Sequence, residues 1–219
     1  MALRHYSWDV GTCSVDDLPS LTSAVVLVPV KSFHLAKQRL AGALSPAQRV
    51  SLARSMAERV LAAASPLPVA VVCDDPEVAG WAKEHGASVI WTPGMGLNMA
   101  VQTGVSRLAL AGATEALVVH GDLPMASGIA DLGGFAGITI VPDRHQRGTN
   151  VLGVPARSGF RFSYGQDSCS RHLAEASRLG LATRVLRPPQ LSWDVDTPED
   201  LSAGMPGTHE VVPGPATIR

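Results

Sequence analysis

AVVLVPV, residues 24–30, is the stretch that decides the fold. It is apolar without alternation, which is typical of a strand buried on both faces, as in a parallel sheet. A basic loop follows, and Ser45 and Pro46 then provide an N-cap and a first-turn proline for a helix that we predict to run to about Ala64. The chain therefore opens with a buried strand, a loop and a helix.

The same alternation continues to the end of the chain. Further strands are predicted at Val69 to Cys73, Ala87 to Trp91, Glu115 to His120, Gly137 to Val141, Asn150 to Val154, Ala182 to Arg187 and Leu191 to Val195. Helices are predicted from Asp75 to Gly86, Leu97 to Leu110, Ser168 to Leu179 and from Thr197 onward. This order predicts a three-layer α/β domain, Rossmann-like, with helices on both faces of a mostly parallel mixed sheet.

The predicted domain spans residues 23–204. Residues 1–22 mix acids, polar residues and a tryptophan, and we interpret them as a flexible N-terminal extension. Residues 205–219 are rich in proline and glycine, which favours a disordered tail.

The composition limits the classes of partner. The 219 residues carry 18 basic and 19 acidic side chains, so bulk attraction for nucleic acid or an anionic membrane is not expected. The three cysteines, Cys13, Cys73 and Cys169, form no CxxC pair, which argues against a zinc site or a disulfide framework. No apolar run approaches the roughly 20 residues of a membrane span, and no secretory signal is recognisable. We therefore expect a cytoplasmic protein without nucleic-acid or membrane partners.

Three aspartates follow predicted strands. Asp194 and Asp196 lie in DVDTP, and Asp122 lies in GDLPM after EALVVH. Side chains alternate along a strand, so Asp194 and Asp196 should point to the same side. Ligands of open α/β sheets bind beyond the carboxyl ends of the strands, where all three carboxylates are predicted to meet. Carboxylates, water and substrate phosphate are the ligands that Mg²⁺ prefers, so this edge is a candidate Mg²⁺ site.

The same residues also have a purely structural explanation. Asp194 and Asp196 could be a solvated strand end and a turn residue, with Thr197 as the N-cap of a helix that begins at Pro198. For the pair alone the structural explanation is favoured. With Asp122 at a second strand end, the two explanations are about equally favoured.

The loop after the first strand, VPVKSFHLAKQRLAGAL, carries Lys31, Lys37 and Arg39. Nucleotide-binding α/β domains commonly place their phosphate-binding loop at this point, and three cations would suit a triphosphate. For any single lysine, a solvated surface loop is the alternative and is somewhat favoured. The chain contains neither GxxxxGK[ST] nor GxGxxG, so no P-loop or dinucleotide-binding motif supports the assignment.

With these motifs in order, the chain resembles the 2-phospho-L-lactate or phosphoenolpyruvate guanylyltransferase family of coenzyme F-420 biosynthesis. The resemblance runs from about Val25 to Leu201. Its carriers are VPVKSFHLAKQRL, LSPAQRVSLARSM, GLNMAV, GDLPM, PDRHQRGTN, YGQDSCSRHL and DVDTPEDL. Each motif is weak alone, and the set in this order is specific.

The resemblance implies a nucleotidyltransferase fold of the GT-A-like type and assigns roles to the residues that match. Asp122, Asp194 and Asp196 would hold Mg²⁺. Thr149, Gly165 and Ser168 would contact the phosphorylated acid. Lys31, Lys37 and Arg39 would face the phosphates of GTP, and Asn98 in GLN would contact the ribose or the base.

Two departures from the family pattern are visible. GQDSCS stands where the family commonly has a small stretch rich in glycine and proline, so Gln166 and Asp167 bring an amide and a carboxyl beside the expected acid pocket. Gln38 replaces a serine in AKQRL. The first departure leaves the identity of the acid open.

The implied reaction is attack by a substrate phosphate on the α-phosphorus of GTP. That nucleophile is already ionised at neutral pH, so no general base is needed and catalysis reduces to positioning and charge neutralisation. Alternatives are a nucleotidyltransferase acting on 3-phosphoglycerate, a sugar phosphate or molybdopterin, and a nucleotide-binding scaffold without activity. A homodimer, and handover of a reactive product to the next pathway enzyme, are both compatible with the sequence.

Several further polar residues receive no role. His120 ends a buried strand, where a histidine is more often a packing residue. His145 lies in a polar loop, where contact with a phosphate and a solvated side chain are both open. Arg171 and His172 lie in the first turns of a predicted helix, and we expect both to be exposed at the surface. Arg147 gains some weight from the adjoining GTN.

Overall fold

Seven strands form one sheet in the computed structural model of the chain, which describes residues 23–202. The strands are β1 (Ala24–Pro29), β2 (Val69–Cys73), β3 (Ser88–Trp91), β4 (Glu115–Val119), β5 (Ile138–Pro142), β6 (Thr149–Pro155) and β7 (Thr183–Val185). All seven coincide with predicted strands, and the last is shorter than predicted. The predicted N-terminal extension, residues 1–22, and the predicted tail, residues 205–219, lie outside the described residues.

The order of the strands in the sheet is β3-β2-β1-β4-β6-β5-β7. β1 pairs in parallel with both β2 and β4, and β6 pairs antiparallel with both β4 and β5. β7 is parallel to β5, so six strands run one way and β6 runs against them. This confirms the mostly parallel mixed sheet and puts the carboxyl ends of β1, β2, β3 and β4 along one edge.

The helices are α1 (Pro46–Ala63), α2 (Pro76–Glu84), α3 (Leu97–Leu110), α4 (Ser168–Arg178), α5 (Pro189–Ser192) and α6 (Pro198–Ser202). The predicted N-cap of α1 is confirmed, because the Ser45 hydroxyl accepts the Gln48 N–H at 3.3 Å while the Gln48 side chain accepts the Ser45 N–H at 2.9 Å. This reciprocal capping box fixes where the loop after β1 ends.

Two apolar layers cover the sheet. Val26 and Val28 of β1 pack in a cluster with α1 and α2, and Val25 and Leu27 pack in a second cluster with α3. All four side chains are at most 1% exposed. The strand is therefore buried on both faces, as its unalternating apolar sequence predicts.

The predicted strand at Leu191 to Val195 is wrong. Pro189–Ser192 is a short helix instead, in which the Leu191 and Ser192 N–H groups donate to the Pro188 carbonyl at 3.0 and 3.1 Å. Pro188 and Pro189 have no N–H for a sheet ladder, and Pro189 fits the first turn of a helix. Leu191 is still 1% exposed, so its apolar character signals burial and not a strand. Asp194 and Asp196 therefore lie in an irregular segment, and the alternation argument for their common direction does not apply.

Candidate active site

A cavity of about 320 Å³ lies at the edge where four parallel strands end. It is lined by residues at or just after the ends of β1, β2, β3 and β4, by residues of α1 and α3, and by one residue of the segment before α6. The polar and sulfur-bearing members include Lys31, Lys37, Cys73, Asp74, Thr92, Met95, His120, Asp122 and Asp196. Two of the three predicted metal ligands and two of the three predicted phosphate-binding cations therefore share one cavity.

Lys37 lies at the centre of the charged end of the cavity, which also contains Asp122 and Asp196. Its Nζ donates to Asp122 Oδ2 at 2.7 Å and to Asp196 Oδ1 at 2.8 Å, and the lysine side chain is only 8% exposed. Burial alone would lower the pKa of Lys37, but attraction from the two carboxylates outweighs it and the pKa is raised. The backbone of Lys37 has φ +54°, a left-handed conformation uncommon for a residue other than glycine. The Lys37 ammonium thus joins the loop after β1 to the segment after β4, which carries Asp122, and to the segment before α6, which carries Asp196.

Asp122 is held as a carboxylate. Burial would raise its pKa, yet the neighbouring Lys37 ammonium lowers the pKa below its ordinary value. Its second oxygen, Oδ1, is buried and has no hydrogen-bond partner among residues 23–202. A carboxylate oxygen can only accept, so this oxygen is available to a cation or to a hydrogen-bond donor of a ligand.

Asp194 has the opposite shift. Burial, followed by repulsion from Asp122 and Asp196, raises its pKa to about 6. The three carboxylates are therefore close enough to interact electrostatically, although Lys37 bonds to only two of them. A divalent cation would relieve this repulsion.

These residues offer the right donor atoms for Mg²⁺, and Lys37 lies where two of them converge. No group of three acidic, histidine or cysteine side chains in the described part of the chain has the spacing of a ready metal site. The unpartnered Asp122 oxygen and the raised pKa of Asp194 nevertheless fit a hard cation with oxygen ligands. The metal assignment stays a prediction, and binding would require the Lys37 ammonium to give way.

Asp200 holds the segment that carries Asp196, and the sequence analysis missed it. Its Oδ2 accepts the N–H groups of Asp196 and Thr197, each at 2.7 Å, and its Oδ1 pairs with Arg144. Asp200 is 6% exposed, so these contacts are nearly dry. The signal was present as T-x-x-D in TPED, one half of a capping box.

Lys31 and Arg39 lie on the outer side of the charged end. Lys31 is exposed and lines the cavity. The Arg39 side chain is 78% exposed, and its Nη1 lies 3.9 Å from Asp196 Oδ2. Both cations are free to move toward a ligand, in contrast to Lys37.

Asn98 is engaged elsewhere. Its Oδ1 accepts the Tyr164 N–H at 2.6 Å, and its Nδ2 donates to the Tyr164 carbonyl at 3.3 Å. The amide therefore fixes the chain before α4. Contact with the ribose or the base stays a prediction, because no comparison tests it and Asn98 is not among the residues lining the cavity.

Thr149, Gly165 and Ser168 are brought together at the start of α4. The Ser168 hydroxyl lies 3.3 Å from Thr149 Oγ1, and the Ser168 N–H donates to the Gly165 carbonyl at 3.1 Å. Gly165 has φ +117°, which a side chain would strain. His172 joins this group with Nδ1 at 3.0 Å from Thr149 Oγ1, and it is 0% exposed, so the expected surface position of His172 is wrong. The predicted acid-binding residues are thus neighbours, although they do not line the same cavity as Lys37.

Asp167, one of the two residues that depart from the family pattern, forms an ion pair. Arg147 Nε donates to Asp167 Oδ1 at 2.9 Å, and this hydrogen bond lowers the pKa of Asp167. The Arg147 carbonyl also accepts the N–H of Cys169 at 3.0 Å. The extra carboxyl is therefore paired with a cation, and it links the loop before β6 to the start of α4.

His120 lines the cavity, although a packing role is expected for a histidine that ends a buried strand. Its ring lies 5.0 Å from that of Tyr164, and burial lowers its pKa. Its Nε2 is buried and has no partner within the described chain. The His120 Nε2 atom is therefore a further polar atom at the cavity with which a ligand could form a hydrogen bond.

Solved structures of other proteins share this fold. A nucleotidyl transferase from Methanothermobacter has a TM-score of 0.59 at 15% identity, covering 83% of this chain and 95% of that one. A 4-diphosphocytidyl-2C-methyl-D-erythritol synthase from Anaerococcus prevotii has a TM-score of 0.54 at 10% identity, covering 83% and 96%. At these identities the likeness establishes a nucleotidyltransferase-like fold and nothing about the substrate.

Sequence relatives narrow the class to one family. Residues 24–208 match the family described as Guanylyl transferase CofC like. A phosphoenolpyruvate guanylyltransferase of Conexibacter woesei is 40% identical over 194 residues, 83% of this chain and 86% of the relative. One of Chloroflexus aggregans is 36% identical over 191 residues, 80% and 94%. This chain belongs to the CofC-like guanylyltransferase family.

Within residues 23–202, no helix combines the length and apolarity needed to cross a bilayer.

Proposed function

We propose that the protein transfers GMP from GTP to the phosphate of a small phosphorylated acid, releasing pyrophosphate, in coenzyme F-420 biosynthesis. Phosphoenolpyruvate is the favoured acceptor because the similar relatives carry that name, and 2-phospho-L-lactate is the other candidate. The observation that carries the proposal is the placement of Lys37 between Asp122 and Asp196 in a cavity at the strand ends. Such an edge is where α/β sheets bind nucleotides.

The bond changes require no acid or base from the protein. A phosphate oxygen of the acid forms a bond to the α-phosphorus of GTP, and the bond from that phosphorus to the bridging oxygen of the β-phosphate breaks. The bonding electrons leave with pyrophosphate. Because the attacking oxygen is already an anion, the protein has to align two anions and offset their repulsion.

Lys31, Lys37 and Arg39 supply the positive charge for this task. Lys31 is exposed and lines the cavity, and Arg39 is exposed beside Asp196, so both can contact the β- and γ-phosphates as the nucleotide enters. Lys37 is buried and lies nearest the carboxylates, so it would meet the α-phosphate or the leaving oxygen. Electrostatic contacts of this kind are worth several kcal/mol each in the transition state.

Asp122, Asp194 and Asp196 would hold Mg²⁺. When bound, the metal would draw the phosphates of both substrates together and offset part of their charge. Asp200 and Arg144 would act indirectly, since they fix the segment that carries Asp196.

Asp74 is a candidate for recognition of the base. It follows β2, which is separated from β4 by β1, so it lies about 10 Å from the carboxylate end along the cavity edge. It is exposed, and none of the described residues hydrogen-bonds to it. Guanine presents two adjacent N–H donors on one edge, which a carboxylate can accept together, whereas adenine does not. This supports GTP over ATP as the donor.

Thr149, Gly165 and Ser168 would bind the acid. Thr149 begins β6, which is paired with β4, and the start of α4 lies against it, so the acid would approach the Asp122 end of the cavity. A cytoplasmic location, a homodimer and direct handover of the product belong to this proposal as well and await their own tests.

The proposal is tested with the purified full-length chain, Mg²⁺, and either GTP or ATP. Pyrophosphate release is measured with phosphoenolpyruvate, 2-phospho-L-lactate, 3-phosphoglycerate and a sugar phosphate. We expect release with GTP and one of the first two acids, with the product trapped by the next enzyme of the pathway because it is reactive. Turnover with a sugar phosphate alone would replace the proposed acceptor. GTP binding without any turnover would support a scaffold role and contradict the proposal.

A further inference from the structure

His172 has a ring whose protonation pattern is fixed by its surroundings. It is 0% exposed, and its Nε2 lies 3.1 Å from the backbone N–H of Ser163. A backbone N–H can only donate, so Nε2 must accept and cannot carry a hydrogen. The neutral ring therefore carries its hydrogen on Nδ1. That nitrogen lies 3.0 Å from Thr149 Oγ1, to which it donates.

The consequence for Thr149 and Ser168 follows from counting hydrogens. The two hydroxyls lie 3.3 Å apart and share one hydrogen bond, whichever of them donates. Because His172 donates to Thr149, it takes up none of their hydrogens. One hydroxyl hydrogen of the pair is left over, and neither hydroxyl makes a further hydrogen bond to another residue among 23–202.

The other form of the ring would remove this donor. With the hydrogen on Nε2, Nδ1 would accept from Thr149, Thr149 would accept from Ser168, and no hydrogen would remain. The Ser163 N–H excludes that arrangement. The state of one buried ring thus decides whether the hydroxyl pair can donate to a bound anion.

The backbone brings this group to the strand edge. Val151 packs on the α1 side of the sheet, so regular alternation would place Thr149 on that side as well. The pairing with β5 instead shifts by one residue between Val141 and Pro142, and Thr149 meets His172 of α4 on the other side. Such bulges often redirect a side chain beside an active site. The His120 N–H still donates to the Asn150 carbonyl at 3.0 Å, so Thr149 lies next to the end of β4 that carries Asp122.

We propose that His172 is a positioning residue that keeps the Thr149–Ser168 pair as a hydrogen-bond donor to one oxygen of the phosphorylated acid. Thr149 and Ser168 are each 2% exposed, so they can offer a ligand little more than this one bond. A hydrogen bond to an ionised oxygen is stronger than one between neutral groups. The inference rests on the proposed function for the identity of the acid.

The first test is independent of activity. Nitrogen NMR of the ¹⁵N-labelled protein at pH 7 distinguishes a protonated from an unprotonated ring nitrogen, and the His172 signals are assigned by their absence in His172→Gln. We expect a hydrogen on Nδ1 and none on Nε2. A ring with its hydrogen on Nε2 would overturn the inference whatever the enzyme's substrate is.

The second test separates the two hydrogen bonds of the ring. His172→Gln can still accept the Ser163 N–H but places no donor at Thr149, so we expect the KM for phosphoenolpyruvate to rise about tenfold with little change for GTP. His172→Asn places an amide N–H near Thr149 and leaves the Ser163 N–H unpaired, so it should lose stability and keep a KM close to that of the wild type. If His172 had only a structural role, KM would rise most in the variant that loses the most stability.

The control is Phe160→Leu, because this ring lies 5.8 Å from that of His172 without a polar contact. It should lower the melting temperature and leave the KM for the acid unchanged. Equal KM values in the wild type and a folded His172→Gln variant would overturn the inference. If another acid proves to be the substrate, the proposed acceptor is wrong, and the same comparison made with that acid decides the role of His172.

Discussion

Lys37 Nζ lies within hydrogen-bond distance of both Asp122 and Asp196, at 2.7 and 2.8 Å. These residues are separated by 85 and 159 positions in the chain. In the ligand-free protein a single ammonium therefore offsets two carboxylates that would otherwise repel each other. The same ammonium occupies the position toward which a divalent cation would be attracted.

Lys37→Met should make the ligand-free protein less stable and more responsive to metal. The two carboxylates lose their shared cation, so we expect a loss of about 1–3 kcal/mol in the free energy of unfolding. Millimolar Mg²⁺ should raise the melting temperature more in this variant than in the wild type, because Lys37 no longer competes. An equal shift in both proteins would contradict competition between Lys37 and the metal.

Asp196→Asn should lower kcat at least about a hundredfold, since electrostatic contacts to a reacting phosphate are worth several kcal/mol. Pyrophosphate release with GTP and phosphoenolpyruvate is the measurement. Glu84→Gln is the matched control, because it also removes one negative charge but lies exposed at the end of α2. Near-normal turnover of Asp196→Asn would rule out the metal assignment.

Asp74→Asn should change the preferred base. The amide of the variant can donate where the Asp74 carboxylate accepts, so it no longer matches the two N–H donors of guanine. It matches xanthine instead, which has a carbonyl in place of the amino group. We expect kcat/KM for GTP to fall about tenfold or more while that for XTP rises. The ratio of the two constants is the measurement, and an unchanged ratio would remove Asp74 from base recognition.

Asp200→Ala should weaken both the fold and the activity. It leaves two backbone N–H groups and the Arg144 guanidinium without their buried acceptor, which costs about 2–4 kcal/mol. Urea unfolding measures this cost. Because Asp200 holds the segment that carries Asp196, kcat should also fall under conditions in which the variant is still fully folded. An active variant with reduced stability would show that this segment does not depend on Asp200.

His172 should make stability depend on pH between about 6.5 and 4. Burial, followed by repulsion from His120 and Arg171, lowers its pKa to about 4 in the folded protein, whereas the unfolded chain binds a proton near 6.5. The unfolded state then holds more protons in this window, so stability is fully present above about 6.5 and is lost as pH falls toward 4. The difference amounts to about 3 kcal/mol.

Urea unfolding of the wild type and His172→Gln at pH 7.5 and 4.5 measures this contribution. Glutamine does not titrate, so the wild type should lose more stability than the variant over this range. Parallel losses would mean that His172 titrates equally in both states.

The loop motifs predicted some residues of the candidate site correctly and misplaced or missed others. Asp122 and Lys37 were found because each follows a strong apolar strand, and the structure brings them together. Asp194 was placed on a strand that does not exist, since apolar residues around Trp193 signal burial without specifying helix or strand. Asp200 was missed although TPED carries half of a capping box, because the T-x-x-D pattern does not reveal the contact of Asp200 with Arg144, 56 positions away in the chain.

The sequence by itself determined the order of the seven strands and of every α-helix except α5, because unalternating apolar runs, N-caps and prolines act over a few residues. It also determined the family, since several weak motifs in one order are specific together. Only the tertiary structure decided that Lys37 lies between Asp122 and Asp196, and that a shifted strand register turns Thr149 toward His172. These contacts join residues far apart in the chain, and their geometry depends on how strands pair, which no local pattern encodes.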